Sequence, residues 1–308
     1  TTPTARSIAR RFGAVDYPGG RRINRRPLPR LGGIALFAGI MAALLLTLPV
    51  PRPIAIVREP KYFVLAVPYG PVDVRVIGVL LGAVAITALG VTDDLRQLSG
   101  RVKFPLIYLA AGIPLLFGLT TPFLTNPFTG RLVPLGILGQ LFTVAWIGSA
   151  AIAMNSIDGV DGLAAGIAAI VAATFLAAAL VRGDGPAILA LCAAVVGSAV
   201  GFLRYNFNPA RVIMGDGGAL LLGYLLGAVS VLGMFKTLTV LSLAVPLLVM
   251  GIPIFDTAYA IVRRVRRGVP VFQPDRGHLH HRLLDQGLSQ RETVFLLYAT
   301  TGLLAVLR

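Results

Sequence analysis

The chain has 308 residues, of which 56% are hydrophobic and only 13% charged; soluble domains carry about 25% charged residues. With a mean hydropathy of +0.81, a soluble multidomain protein is excluded, and so is disorder, which needs low hydrophobicity. The net charge of +15 is spread among apolar runs rather than gathered in a stripe, which disfavours nucleic acid and points to lipid headgroups and an anionic substrate. The single cysteine, Cys192, excludes an intrachain disulfide.

The opening stretch, Thr1 to Arg11, reads as the tail of a helix. Apolar runs follow at roughly 31–50, 74–91, 104–120, 134–154, 162–181, 187–203, 217–235, 238–262 and 294–307. All but the last approach the roughly 20 residues that a bilayer crossing requires. The expectation is an all-α, polytopic integral membrane bundle with about nine transmembrane helices, one domain over residues 1–308. Thr1 in place of Met and the short last run lead to the expectation that the chain is trimmed at both ends.

Alternating the spans sorts the loops into two sides. Loops 1–30, 92–103, 155–161, 204–216 and 263–293 hold 20 of the 28 Lys and Arg residues. That side is read as cytoplasmic by the positive-inside rule. The acids follow, which the rule does not require. Asp16, Asp93, Asp94, Asp158, Asp161, Asp216, Asp275, Asp285 and Glu292 lie there, with all three histidines. Titratable groups collected on one face suit an interfacial enzyme. A transporter places some near the midplane, where only Asp256 is a candidate.

Four stretches carry the chemistry. Asp93 and Asp94 end an apolar helix. Adjacent carboxylates repel unless a cation or proton separates them, which suits Mg²⁺ bridging to phosphates, or a solvated helix end balanced by Arg96 and Arg101. Asn155-Ser156-Ile157-Asp158-Gly159-Val160-Asp161-Gly162 joins two apolar runs with two acids three apart, costly so near hydrocarbon. Arg204 to Ala210, with Asn206, leads into Met214-Gly215-Asp216-Gly217-Gly218. Asp216 there is either a helix cap or a ligand holder. In the fourth, Asp275-Arg276-Gly277-His278-Leu279-His280-His281-Arg282, imidazoles and guanidiniums suit phosphate contact. Zinc is the rival, but no thiolate accompanies them. Arg263-Arg264-Val265-Arg266-Arg267 reads as a headgroup anchor.

Together these motifs, with Pro29-Arg30-Leu31-Gly32-Gly33 and Pro253 to Asp256, resemble the polyprenyl-phosphate N-acetylhexosamine-1-phosphate transferases of the bacterial envelope. The His-Leu-His-His order at 278–281 is most similar to the undecaprenyl-phosphate GlcNAc-1-phosphate transferase-like branch of glycosyltransferase family 4. Asn24, Ile152 and Ala219 depart from the family pattern, which usually has His, Asn and Ser there. The resemblance implies transfer of a sugar-1-phosphate from a UDP-N-acetylhexosamine to polyprenyl phosphate, with release of UMP. It implies Mg²⁺, with Mn²⁺ as an alternative. The metal ligands would be Asp216 with Asp93 or Asp94, the other of that pair accepting a proton. Asp158 and Asp161 would orient nucleotide or metal. His278, His280 and His281 would act on phosphates, and Arg30, Asn155, Asn206, Arg276 and Arg282 would bind substrate. The implied setting is the inner (plasma) membrane with a cytoplasmic site; a homodimer is left open. The rival readings are an inactive scaffold of the same fold and a transporter of an anionic solute.

Overall fold

The computed structural model describes residues 2–11, 13–17, 27–47, 55–59, 62–67, 70–125, 129, 132–233, 247, 250–269 and 277–306. Its helices are α1 (Thr2–Arg11), α2 (Gly32–Thr47), α3 (Val74–Arg96), α4 (Gly100–Gly112), α5 (Ile137–Ile157), α6 (Leu163–Arg182), α7 (Pro186–Asn206), α8 (Gly215–Gly233), α9 (Gly251–Arg266), α10 (Leu279–Asp285) and α11 (Gln290–Val306). A 3₁₀ turn over Ile113–Phe117 continues α4.

The chain is an all-α, multi-pass membrane protein. Six helical segments among the described residues are long and apolar enough to cross a bilayer, rather than the nine expected: Val74–Arg96, Gly100–Phe117, Ile137–Ile157, Leu163–Arg182, Pro186–Asn206 and Gly215–Gly233. The other three runs fall short for identifiable reasons. Helix α2 has 16 described residues and α11 has 17. In the run 238–262, helix α9 is described only from Gly251, and residues 238–246 lie outside the described set. The segment 51–73, read as a loop, holds three antiparallel strands, Ala55–Glu59, Tyr62–Val67 and Gly70–Asp73.

Helix α8 is the axis of the bundle. All but Asp216 of its residues are buried, as expected for a helix apolar on every side. It packs against α3, α5, α2 and α6. Small residues allow the close approach. A Cβ on Gly90 of α3 would lie 2.5 Å from Gly217 Cα, and one on Gly227 of α8 would lie 3.1 Å from Ile147 Cα of α5. Buried polar tips are satisfied inside: Tyr224 Oη donates to Val79 O (3.0 Å) and Trp146 Nε1 to Ser230 Oγ (2.8 Å). Outer helices expose Leu81, Leu109, Leu138, Leu141 and Val181, side chains suited to lipid.

The up-and-down course places the ends of α3, α5 and α7 and the starts of α2, α4, α6 and α8 together. Segment 29–33 runs beside 213–214 there. Ile213 N–H donates to Pro29 O, Gly32 N–H to Ile213 O and Gly33 N–H to Met214 O, at 2.9, 3.1 and 2.8 Å. Gly33 has no room for a Cβ against Gly217 and Gly218. This packing fixes Arg30 over the start of α8.

Candidate functional site

The site begins with Asp94, at the end of α3. Its two oxygens accept the backbone N–H groups of Asp216 (3.0 Å) and Gly217 (3.1 Å). These are orphan donors of the first turn of α8, so a carboxylate from another helix supplies the cap. Asp216 is therefore not its own helix's cap. Arg30 Nε stands 3.7 Å from Asp94 Oδ1 and 3.7 Å from Asp16 Oδ1, tying the 27–31 segment to the same point.

The second centre is Lys103, on the first turn of α4, which the sequence reading counted only as loop charge. Its ammonium stands 2.8 Å from Asp93 Oδ2, pairs with Asp216, and donates to Asn155 Oδ1 at 3.2 Å. Four helices, α3, α4, α5 and α8, thus converge on one cation. The other Asp93 oxygen accepts Leu98 N–H at 2.6 Å, where α3 ends. One signal could have found Lys103: it is one of only three lysines, with Lys61 and Lys236, in a chain whose other basic residues are all Arg. Lys is the compact, rotatable point charge of the two.

Asp158 follows the last residue of α5. Burial pushes its carboxyl up to about 8, helped by the nearby charges of Asp216, Asp94 and Asp161 and opposed by Arg30. Asp161 is likewise raised by burial, against the hydrogen bonds that it accepts from Ala210 N–H and Asn208 Nδ2, both 3.1 Å. Asn206 belongs to the frame. Its Oδ1 accepts Gly162 N–H (3.1 Å) and its Nδ2 donates to Val212 O (2.9 Å). Tyr298 Oη on α11 donates to Gly162 O at 2.6 Å. Gly162 itself sits at φ +83, a conformation costly for other residues.

The histidine segment abuts this turn. His280 is buried and its ring lies against Gly159, which leaves no space for a Cβ. Burial first, then the neighbouring His281 and His278, lower its imidazole to about 3, so it is neutral. His278 stacks on His280 (5.9 Å, 6° between planes), and His280 meets His281 at 4.3 Å. Arg282 is exposed and lines a groove of about 360 Å³ with Phe255, Tyr259 and Leu304. Arg276 and Asn24 lie outside the described residues. Among the described residues no three His, Cys, Asp or Glu side chains form a ready metal cluster. The donors around the Lys103 ammonium are two carboxylates and an amide. Hard oxygen donors of this kind fit Mg²⁺, which takes one or two protein carboxylates and completes its shell with water and phosphate.

A family model described as glycosyl transferase family 4 matches residues 76–234, from the start of α3 past the end of α8. The chain belongs to glycosyl transferase family 4. It is 40% identical to a probable undecaprenyl-phosphate N-acetylglucosaminyl 1-phosphate transferase of Bacillus subtilis, over 96% of this chain and 77% of that protein. It is 37% identical to a decaprenyl-phosphate N-acetylglucosaminephosphotransferase of Mycolicibacterium smegmatis, over 99% of this chain and 77% of the relative. It is 26% identical to the undecaprenyl-phosphate alpha-N-acetylglucosaminyl 1-phosphate transferase of Escherichia coli, over 98% and 77%. This family 4 member is an enzyme of the transferase type, and its carboxylates meet at one end of the bundle. The matched region includes Asp93, Asp94, Lys103, Asn155, Asp158, Asp161, Asn206 and Asp216, but not Arg30 or the histidine segment.

Proposed function

We propose that this chain transfers N-acetylhexosamine-1-phosphate, specifically GlcNAc-1-phosphate, from UDP-GlcNAc to undecaprenyl or another polyprenyl phosphate. UMP is released, and lipid-linked synthesis of a cell-envelope glycan begins. The observation that carries this reading is the convergence of Asp93, Asp216, Asn155 and Lys103 at one polar end of an otherwise apolar bundle. The names of the relatives supply the substrate class.

The chemistry joins two anions, a lipid phosphate and a nucleotide diphosphate. Catalysis is then charge neutralisation and positioning. Asp93 and Asp216 would hold Mg²⁺, because both oxygens of Asp94 already serve backbone amides. Mg²⁺, when bound, supplies the positive charge that lets the phosphates approach. Displaced from its pair, Lys103 would turn to a phosphate oxygen. Arg30, His278, His281 and Arg282 would hold phosphates, as would Arg276. Asp158 and Asp161 would orient the nucleotide. The groove beside Arg282 would receive the first units of the lipid. The lipid phosphate, with a second pKa near 6, arrives mostly ionised. The Lys and Arg excess in the loops at this end supports a cytoplasmic orientation in the inner membrane.

The test is transfer by the purified chain from radiolabelled UDP-GlcNAc to undecaprenyl phosphate. Lipid-linked label with stoichiometric UMP is the expected result. Label that appears only with another UDP-sugar overturns the donor, and no product with any donor overturns the reading in favour of an inactive scaffold.

A further inference from the structure

Asp256 lies in an apolar stretch of α9, where an ionised carboxylate is expensive, and the family 4 match does not reach it. The structure shows what it does there. Its Oδ2 stands 2.8 Å from His278 Nδ1, and its Oδ1 accepts the backbone N–H of Leu279 at 2.8 Å. Side chains of both partners are nearly closed to solvent, 5% exposed for Asp256 and 11% for His278. Two helical turns further along the same face, Arg263 Nη1 donates to Gly277 O at 2.8 Å. A Cβ on Gly277 would run into Cζ of that guanidinium and would have to displace it. Helix α9 thus grips residues 277–279 with a matched acceptor and donor seven residues apart.

We propose that Asp256 is a positioning residue that holds His278 with its proton on Nδ1 and turns the free Nε2 toward a phosphate-bearing ligand. A carboxylate can only accept, so Nδ1 must donate to it whether the imidazole is neutral or charged. Only Nε2 is left to change its role, the arrangement by which a buried acid fixes tautomer and orientation in other histidine sites. Orientation passes on: His278 stacks on His280, and His280, whose buried Nε2 has no hydrogen-bond partner, lies against Gly159. Asp256 thereby sets the histidine segment against the Asp158 turn. The phosphate part of this inference rests on the proposed transferase reading; the tautomer does not.

Asp256→Asn tests it with little change of shape. The Leu279 N–H keeps the amide oxygen where Oδ1 was, so the NH₂ group must face Nδ1. Nδ1 then becomes the acceptor and the proton moves to Nε2. Ring-nitrogen NMR on the full chain with ¹⁵N-histidine, which labels only three residues, reads this directly at about pH 8.5, where an ordinary imidazole is neutral. We expect the Nδ1–H form in the wild type and the Nε2–H form in Asp256→Asn. Turnover should fall about 10- to 100-fold, the usual effect of losing an orienting partner, with KM for UDP-GlcNAc little changed. In a His278→Gln background, Asp256→Asn should cost nothing more. An Nε2–H wild type, full turnover in a folded Asp256→Asn protein, or additive losses in the double variant would each overturn the inference. Should Asp256→Asn not fold, the wild-type tautomer decides alone. A wild type that transfers nothing sinks the transferase reading, and the tautomer result still decides the role of Asp256.

Discussion

Lys103 Nζ lies 2.8 Å from Asp93 Oδ2, across the gap between α4 and α3. The pair is largely removed from solvent, the side chains 13% and 10% exposed. Removing one partner of a buried ion pair leaves the other charge uncompensated, at a cost of about 3–5 kcal/mol. Lys103→Met should therefore destabilise the chain by about 3 kcal/mol in metal-free buffer and lose transfer. Adding Mg²⁺ should restore most of the lost Tm, since the ion takes over the task of the ammonium. A variant as stable as wild type without metal would show that the carboxylates do not depend on Lys103.

Asp216 belongs to the same cluster but to another helix. If Asp93 and Asp216 hold Mg²⁺, Asp216→Asn removes half of the protein's charge on the ion. We expect transfer to be abolished while membrane insertion and helix content stay intact, and excess EDTA to stop the wild type. Near-normal turnover of Asp216→Asn in the radiolabel assay would refute the ligand assignment. Activity that survives EDTA would refute the metal.

Asp158 gives a pH signature. Its folded-state pKa is raised from 3.8 to about 8, chiefly by burial. The fold therefore favours the neutral acid. That contribution is whole below the unfolded value, declines as pH rises through the interval, and is gone above about 8. Asn imitates the neutral acid and escapes the loss. In metal-free protein, Asp158→Asn should match the wild-type Tm near pH 4 and exceed it at pH 9, as melting curves would show. An equal difference at both pH values would mean that the carboxyl is not buried among like charges.

How much of this was legible in the sequence depended on the physical signal. Asp93, Asp94, Asp158, Asp161 and Asp216 stood out because acids beside hydrocarbon are costly and must have a reason. The structure brings all five to one end. What each acid touches was not legible. Asp94 caps α8 from 122 positions away, a pairing that no local pattern encodes. Lys103 was hidden by the basic residues around it, and Asp256 carried its signal without naming its partner His278. The strands at 55–73 were missed because Pro51, Pro53, Pro60, Pro68 and Pro71 punctuate the segment as a loop would.

The glycines of α3 and α8 offer a mechanical test of how the site is assembled. Gly90 faces Gly217 so closely that a Cβ would lie 2.5 Å from its Cα and 2.6 Å from its nitrogen. Both are backbone atoms, which no side-chain rotation can move. Gly90→Ala must push α3 off α8, and Asp94, one helical turn further on, would lose its hold on the Asp216 and Gly217 amides. Gly197 of α7 has nothing within 4 Å of its notional Cβ. There Ala should stabilise by about 0.5–1 kcal/mol through helix propensity alone. Overpacking at Gly90 should cost about 1–3 kcal/mol and reduce transfer sharply, with Gly197→Ala at wild-type rate. Equal behaviour of the two variants would mean that contact between α3 and α8 does not set the spacing of the carboxylates.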